Sequence, residues 1–175
     1  MRAASKQRTK PDFSELDSIE AEQKAKECVL RILGARAHSC AEVRQKLTQR
    51  GFPAEIAERT VIAIRNLGYL DDEQFARDYV RYKGGQLGRN RLVQELSAKG
   101  VAKNIQDRVL AQVDEAEEAE KVHALVEKRL VGMAGLPRET QIRRLTGYLV
   151  RRGFPMNLVM RAVNEAIDQK EAADG

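Results

Sequence analysis

Tryptophan is absent from the 175-residue chain, aromatic residues amount to 5%, and there are only 4 prolines. Strands favour aromatic and β-branched residues and need frequent turns, so this scarcity disfavours a β-sandwich and favours helices. Long hydrophobic runs are missing as well. The longest of note, Val61-Ile62-Ala63-Ile64, falls far short of the about 18 apolar residues that a spanning helix requires, which excludes a membrane helix. The first 24 residues run basic and then acidic without the apolar stretch of a secretory signal, and the chain is expected to stay in the cytoplasm.

Cysteine is nearly as scarce. Cys28 and Cys40 offer no disulfide framework in a reducing compartment. With His38 they would supply three metal ligands at no spacing known for zinc. Cys28 therefore reads as a small buried hydrophobe and Cys40 as a loop or cap residue, and neither a metal nor a cofactor is expected. His123 lies inside a helical pattern as a surface or boundary residue.

Charge, by contrast, is plentiful. Charged residues make up 33% of the chain, and 31 Lys and Arg against 26 Asp and Glu leave a net charge of +5. The charges are segregated. Residues 77–103 carry seven basic and two acidic side chains, Asp114 to Glu120 carry five carboxylates and no cation, and residues 138–161 carry six Arg against one Glu. Basic blocks of this kind point to a polyanion or an acidic protein surface as partner.

The strongest pattern is internal repetition. Leu47 to Ile56, Leu96 to Ile105 and Leu149 to Leu158 share one arrangement around Gly51, Gly100 and Gly153, glycines 49 and 53 residues apart. Apolar residues stand eight before each glycine (Val43, Leu92, Leu145) and four before it (Leu47, Leu96, Leu149). After it come an apolar residue at the fifth place, Arg59, Arg108 and Arg161 at the eighth, and Val61, Leu110 and Val163 at the tenth. Apolar residues one turn apart mark a helix that the glycine closes in the left-handed conformation, with a cation just before it suiting the helix dipole. Asparagine, which tolerates that conformation, is expected to replace these glycines at far less cost than valine. Pro53 and Pro155 then fit the first turn of a second helix.

Further helical patterns precede each unit: Ala25, Val29, Ile32 and Leu33; Phe75, Ala76, Tyr79 and Val80; Val122, Leu125 and Val126. The expected fold is all-α, an elongated tandem array of three three-helix modules with helix-turn-helix-like units. The boundaries read as a flexible tail over 1–17, modules over 18–67, 68–113 and 114–169, and a flexible end over 170–175. Ser39-Cys40-Ala41-Glu42 forms a capping box, and Asp71 and Asp72 are read as caps rather than a catalytic or metal pair, since no third ligand or base accompanies them. Gly84-Gly85-Gln86-Leu87-Gly88 is the turn between the first two helices of the second module, where the bare backbone could approach a phosphate.

No nucleophile beside a base, metal cluster or cofactor loop stands at supportive spacing, so no enzyme is expected. What remains is surface. Arg77, Arg81, Lys83, Arg89, Arg91, Lys99 and Lys103, with Arg143, Arg144, Arg151 and Arg152, form the candidate binding residues. The lack of interleaved aromatics argues against base stacking and sequence reading.

Gly68-Tyr69-Leu70-Asp71-Asp72-Glu73-Gln74-Phe75-Ala76, then Gly88, then Glu95-Leu96-Ser97-Ala98-Lys99-Gly100-Val101 resembles the signature of the RecX family, bacterial regulatory partners of the RecA recombinase. The segment from Val43 to Leu47 before Gly51-Phe52, and the closing Arg152-Gly153-Phe154, also match, so the resemblance covers about Ala25 to Ala166. The chain departs from the family by an extended linker from Val131 to Pro137 and by its charged amino-terminal tail. The resemblance implies a curved array that binds RecA and its filaments on single-stranded DNA. It would restrain ATP hydrolysis, strand exchange and repressor cleavage, and so act on recombination, DNA repair and the SOS response. Weak, sequence-independent DNA binding and a monomeric state go with it. The competing reading is a helix-turn-helix DNA-binding regulator acting without RecA, against which stand the mixed charges Glu55, Glu58, Arg59, Asp107 and Arg108 on the helices after the glycines.

Overall fold

The computed structural model describes Phe13 and residues 17–174, so the expected tail over 1–17 lies almost wholly outside the described residues. The described residues are helical and contain no strand. The elements are α1 (Ser18–Leu33), α2 (Cys40–Gln49), α3 (Ala54–Asn66), α4 (Asp72–Lys83), α5 (Arg89–Ala98), α6 (Lys103–Leu110), α7 (Glu115–Leu130), a short 3-10 turn (Val131–Met133), α8 (Arg138–Arg151) and α9 (Met156–Asp174). The array of three three-helix modules expected from the repeat is thus present. The last helix is longer than expected, since α9 continues through Lys170 to Asp174. No helix among the described residues is long and apolar enough to cross a membrane.

Two compact units divide these helices. The first runs to Phe75 and includes Lys99–Val101; the second holds Ala76–Ala98 and everything from Ala102 onward. In the first unit, α3 packs against both α1 and α2. Ala21, Ala25, Cys28, Val29 and Ile32 line one stripe of α1 and meet Val43 and Leu47 of α2 and Ile56, Val61 and Ile64 of α3. In the second, α9 packs against α7 and α8, burying Val122, Val126, Leu145, Leu149, Val159 and Val163. The apolar places eight and four before each repeat glycine are all at or below 2% exposure, so the repeat is the core pattern itself.

Local chemistry sets the helix ends. Gly51, Gly100 and Gly153 all have positive φ, at 95°, 72° and 84°. Around Gly51 the Phe52 amide donates to the Leu47 carbonyl and the Gly51 amide to Thr48; Phe154 and Gly153 repeat this with Leu149 and Val150. This paired bonding is the Schellman closure, which satisfies carbonyls that the helix end leaves free. Pro53 and Pro155 stand one place earlier than expected, immediately before α3 and α9, where their carbonyls accept from Ala57 and Val159 at 2.9 and 3.0 Å. Ser39 and Glu42 form the reciprocal capping box.

The repeats are joined by one recurring device. Within the first unit, Asp72 Oδ1 accepts from the Cys40 amide at 2.8 Å, and the Ser39 hydroxyl donates to the Lys99 carbonyl at 2.5 Å. Within the second, Glu118 Oε1 accepts from the Arg89 amide at 2.9 Å, and the Gly88 amide donates to the Arg152 carbonyl at 2.8 Å. In both places a later carboxylate caps the first amide of an earlier helix, and a later glycine turn lies against that helix start. The fit is close. A Cβ at Gly100 would fall 2.3 Å from the Ala41 Cβ, and one at Gly153 would fall 2.3 Å from the Arg91 nitrogen. Any Cβ collides at these two turns, so asparagine carries a steric cost there in addition to that of the left-handed backbone.

The glycine turn before α5 is corrected in the same way. A Cβ on Gly88 would lie 2.4 Å from the Phe154 nitrogen, so the bare backbone at this point accommodates protein backbone and not a phosphate.

Candidate functional site

The eleven basic residues singled out from the sequence fall into different settings. Arg81 and Arg91 are tied to carboxylates: Arg81 Nη2 lies 2.5 Å from Asp78, and Arg91 Nε 3.1 Å from Glu95. The Tyr79 hydroxyl also donates to Glu95, and this bond, set against the smaller effect of burial, holds that carboxyl below the usual range. Lys83 Nζ sits over the Tyr82 ring, while Arg77 and Lys103 are exposed on α4 and α6. Arg89 is half-buried at the start of α5.

Lys99 belongs to the first compact unit, apart from the rest of its sequence block. Its ammonium donates to Glu42 Oε1 at 3.2 Å. Arg36 holds the same carboxylate at 3.1 Å, and the Ser39 amide donates to it at 3.3 Å. Burial pushes the Glu42 carboxyl up, but these bonds outweigh it and hold its pKa at about 2. Lys99 is a strut of the repeat joint. Asp71 and Asp72 are also structural: Asp71 Oδ1 accepts from the Glu73 and Gln74 amides and so caps its own helix, while Asp72 caps α2.

Cys28 and Cys40 are both buried and free. Burial, with the nearby Asp72 carboxylate, pushes the Cys40 thiol up to about 11, so it is neutral at pH 7 and a poor nucleophile. Cys28 Sγ receives Arg50 Nη1 at 2.7 Å. His38 is buried, with Nδ1 2.8 Å from the Arg36 carbonyl, and burial lowers its pKa. His123 bridges α7 to Glu165 of α9 at 3.3 Å.

The remaining four, Arg143, Arg144, Arg151 and Arg152, converge on α8. Their spacing puts Arg143, Gly147 and Arg151 on one ridge of the helix and Arg144, Tyr148 and Arg152 on the next, because residues four apart lie one above the other. Tyr148 is the pivot. The guanidinium of Arg129, at the end of α7, lies 4.1 Å from its ring centre and that of Arg152 lies 4.6 Å from it. Arg152 also donates to the Gln86 carbonyl at 2.8 Å. A cleft of about 450 Å³ is lined by Arg129, Met133, Arg143, Arg144, Tyr148 and Arg151. A second, of about 490 Å³, shares Arg129 and Tyr148 with it and adds Gln86, Lys128 and Arg152. No carboxylate lines either cleft.

The cluster has the chemistry to pair with an anion. Guanidinium forks pair with phosphate or carboxylate oxygens through two parallel bonds, and an aromatic face fixes the plane of each fork. Lys128, Arg129 and Tyr148 went unremarked in the sequence because α7 opens on an acidic run and the nearest tyrosine stands alone. The spacing Arg144-Tyr148-Arg152 was the readable signal, two successive intervals of four on a helix.

Three family descriptions match along the chain: "RecX, first three-helix domain" over residues 25–62, "RecX, second three-helix domain" over 71–110 and "RecX, third three-helix domain" over 116–163. Among similar sequences, the regulatory protein RecX of Amycolatopsis mediterranei is 33% identical over 156 residues, covering 88% of this chain and 89% of that protein. The regulatory protein RecX of Trichlorobacter lovleyi is 38% identical over 135 residues, covering 74% and 87%. The crystal structure of RecX from Lactobacillus salivarius shares the fold, with a TM-score of 0.76 at 20% identity over 85% of this chain and 97% of that one.

Proposed function

Because the chain belongs to the RecX family, with all three of its domains in order, we propose that it is a regulator that binds RecA and RecA filaments on single-stranded DNA. It restrains recombinase, ATPase and coprotease activities there, and so modulates recombination, DNA repair and the SOS response. The carrying observation within the molecule is the α8 cluster, a set of guanidiniums with no carboxylate in either cleft. Like charges so placed repel one another in the free protein and favour association with a polyanion. The protein acts by binding rather than catalysis, as a cytoplasmic monomer, and its contact with DNA is weak and indifferent to sequence.

A helix-turn-helix regulator acting without RecA fits less well. The charges of the helix after the first glycine are used internally: Glu58 pairs with Arg44, and Arg59 reaches Glu22 at 2.9 Å and Glu55 at 3.6 Å. A recognition helix keeps such side chains for base edges. Selection of bound DNA from random sequence separates the two readings, since the filament regulator returns no consensus.

The direct test is reversal of Arg143 and Arg144 to Glu. Arg91 is left in place, because a glutamate there would face Glu95 one turn on and weaken α5 for reasons unrelated to binding. The variant should keep its helicity and melting temperature yet lose its restraint on the ATPase of RecA filaments. Wild-type inhibition at wild-type concentrations would remove the basis of this reading.

A further inference from the structure

Glycine in the middle of a helix is the costliest ordinary residue short of proline. Gly147 stands in the middle of α8, and nothing within the fold requires it. Its backbone has no positive φ. A Cβ built on it would meet no backbone and no core side chain within 4 Å, only the guanidinium of Arg151, at 3.1 Å to Nη1 and 4.0 Å to the central carbon.

The contact explains the glycine. Side chains on a helix lean toward its amino terminus, so Arg151 lies back along α8 over the bare backbone of Gly147. Its head thereby enters the cleft that Arg129, Arg143, Arg144 and Tyr148 also line. Four guanidiniums then line one cleft, and one of them, that of Arg151, rests where a side chain on Gly147 would stand. Both features disfavour the free protein, one through helix propensity and the other through like-charge repulsion, and an anion relieves the second.

We propose that this cleft is a phosphodiester clamp for single-stranded nucleic acid, with Arg129, Arg143, Arg144 and Arg151 as its walls and Gly147 as the residue whose missing side chain lets the Arg151 head take its place. The inference rests on the functional reading above only in taking α8 as a binding face, and it assigns that face to the nucleic acid rather than to the recombinase. The chemistry favours phosphate. A cleft walled by four guanidinium forks admits a compact tetrahedral anion with several oxygens, and among the described residues Met133 and the Tyr148 ring are the only other side chains that line it. Tyr148, with Arg129 and Arg152 already stacked against it, orients the forks rather than offering a free face to a base. The clamp is therefore indifferent to sequence.

The full-length chain is titrated against a fluorescein-labelled oligothymidylate, without RecA, across a series of salt concentrations. Two variants are compared with wild type: Gly147→Ala, and Arg143→Ala combined with Arg151→Ala. Gly147→Ala should melt at an equal or higher temperature while binding the oligonucleotide several-fold more weakly, because the added methyl group displaces the Arg151 head. That opposition of stability and affinity is not what a structural role would give. The double variant should lose about tenfold or more in affinity, and its slope of log affinity against log salt should be shallower by roughly 0.7 for each phosphate contact removed. Wild-type affinity and slope in both variants would overturn the clamp. Loss in the double variant alone would overturn the role of Gly147 in placing Arg151. Unchanged oligonucleotide binding with lost capture of DNA-free RecA would assign the cleft to an acidic protein surface and overturn the proposal too. Failure of the regulatory reading shows separately, as a wild-type chain that binds the oligonucleotide but leaves the RecA ATPase untouched.

Discussion

Replacing Gly100 by asparagine isolates what the repeat joint demands of its glycines. An ideal Cβ at this position lies 2.3 Å from the Ala41 Cβ, whereas carbon atoms in contact settle at about 3.5–4.0 Å. The turn must retreat from α2 by more than about 1 Å, and two bonds hold it there: Ser39 Oγ to the Lys99 carbonyl at 2.5 Å and Lys99 Nζ to Glu42 at 3.2 Å. Overpacking of this kind costs about 1–3 kcal/mol. The left-handed backbone at φ 72° adds up to about 1 kcal/mol for an asparagine, so the total is about 1–4 kcal/mol. Gly68 is the natural control. Its φ is 79° but nothing lies within 4 Å of its Cβ position, so Gly68→Asn should cost about 1 kcal/mol or less. Urea denaturation of both variants reads the difference directly. A double-mutant cycle strengthens it, since Ala41→Gly removes the colliding carbon and Gly100→Ala should cost less in that background than in wild type. Equal losses for Gly100→Asn and Gly68→Asn, or strict additivity in the cycle, would refute steric crowding at the joint.

Acid should weaken the first unit in two steps. His38 is buried and its pKa is lowered from 6.5, chiefly by that burial, so it folds as the neutral ring and its contribution is complete above pH 6.5 and falls away below it. Glu42 folds as a carboxylate with a pKa of about 2 against the ordinary 4.5, so its contribution is full above pH 4.5 and is lost as pH falls toward 2. That interval corresponds to about 3 kcal/mol for a side chain only 16% exposed. Urea midpoints measured against pH should show the second step in wild type and not in Glu42→Gln; an identical profile in both would sink the assignment. In the second unit, Leu145→Ala empties a fully buried position and should cost about 2–5 kcal/mol by calorimetry, and a loss under 1 kcal/mol would mean that the site collapses freely around the smaller residue.

The helices, their buried faces and their ends were legible in the sequence because all three obey short-range rules. Val43 and Leu47, or Leu145 and Leu149, fall on one stripe by the 3.6-residue period alone. Gly51 and Gly153 close their helices, and Ser39 and Glu42 open α2, through bonds that reach no further than five residues. The threefold repeat multiplied each of these weak signals. Partners distant in the chain were not legible. Asp72 caps a helix 32 residues upstream, Lys99 reaches Glu42 across 57 residues, and Gly88 is bare because the backbone of Phe154 passes over it. The charged surface shows the same division. Eleven cations looked alike in one dimension, and only the folded chain sorted Arg91 and Lys99, which meet carboxylates, from Arg143, Arg144 and Arg151, which line one cleft with Arg129 and Tyr148. Composition sets how many charges a chain carries, but Coulomb's law acts on distance, and the distances between charges remote in sequence are set by the tertiary fold.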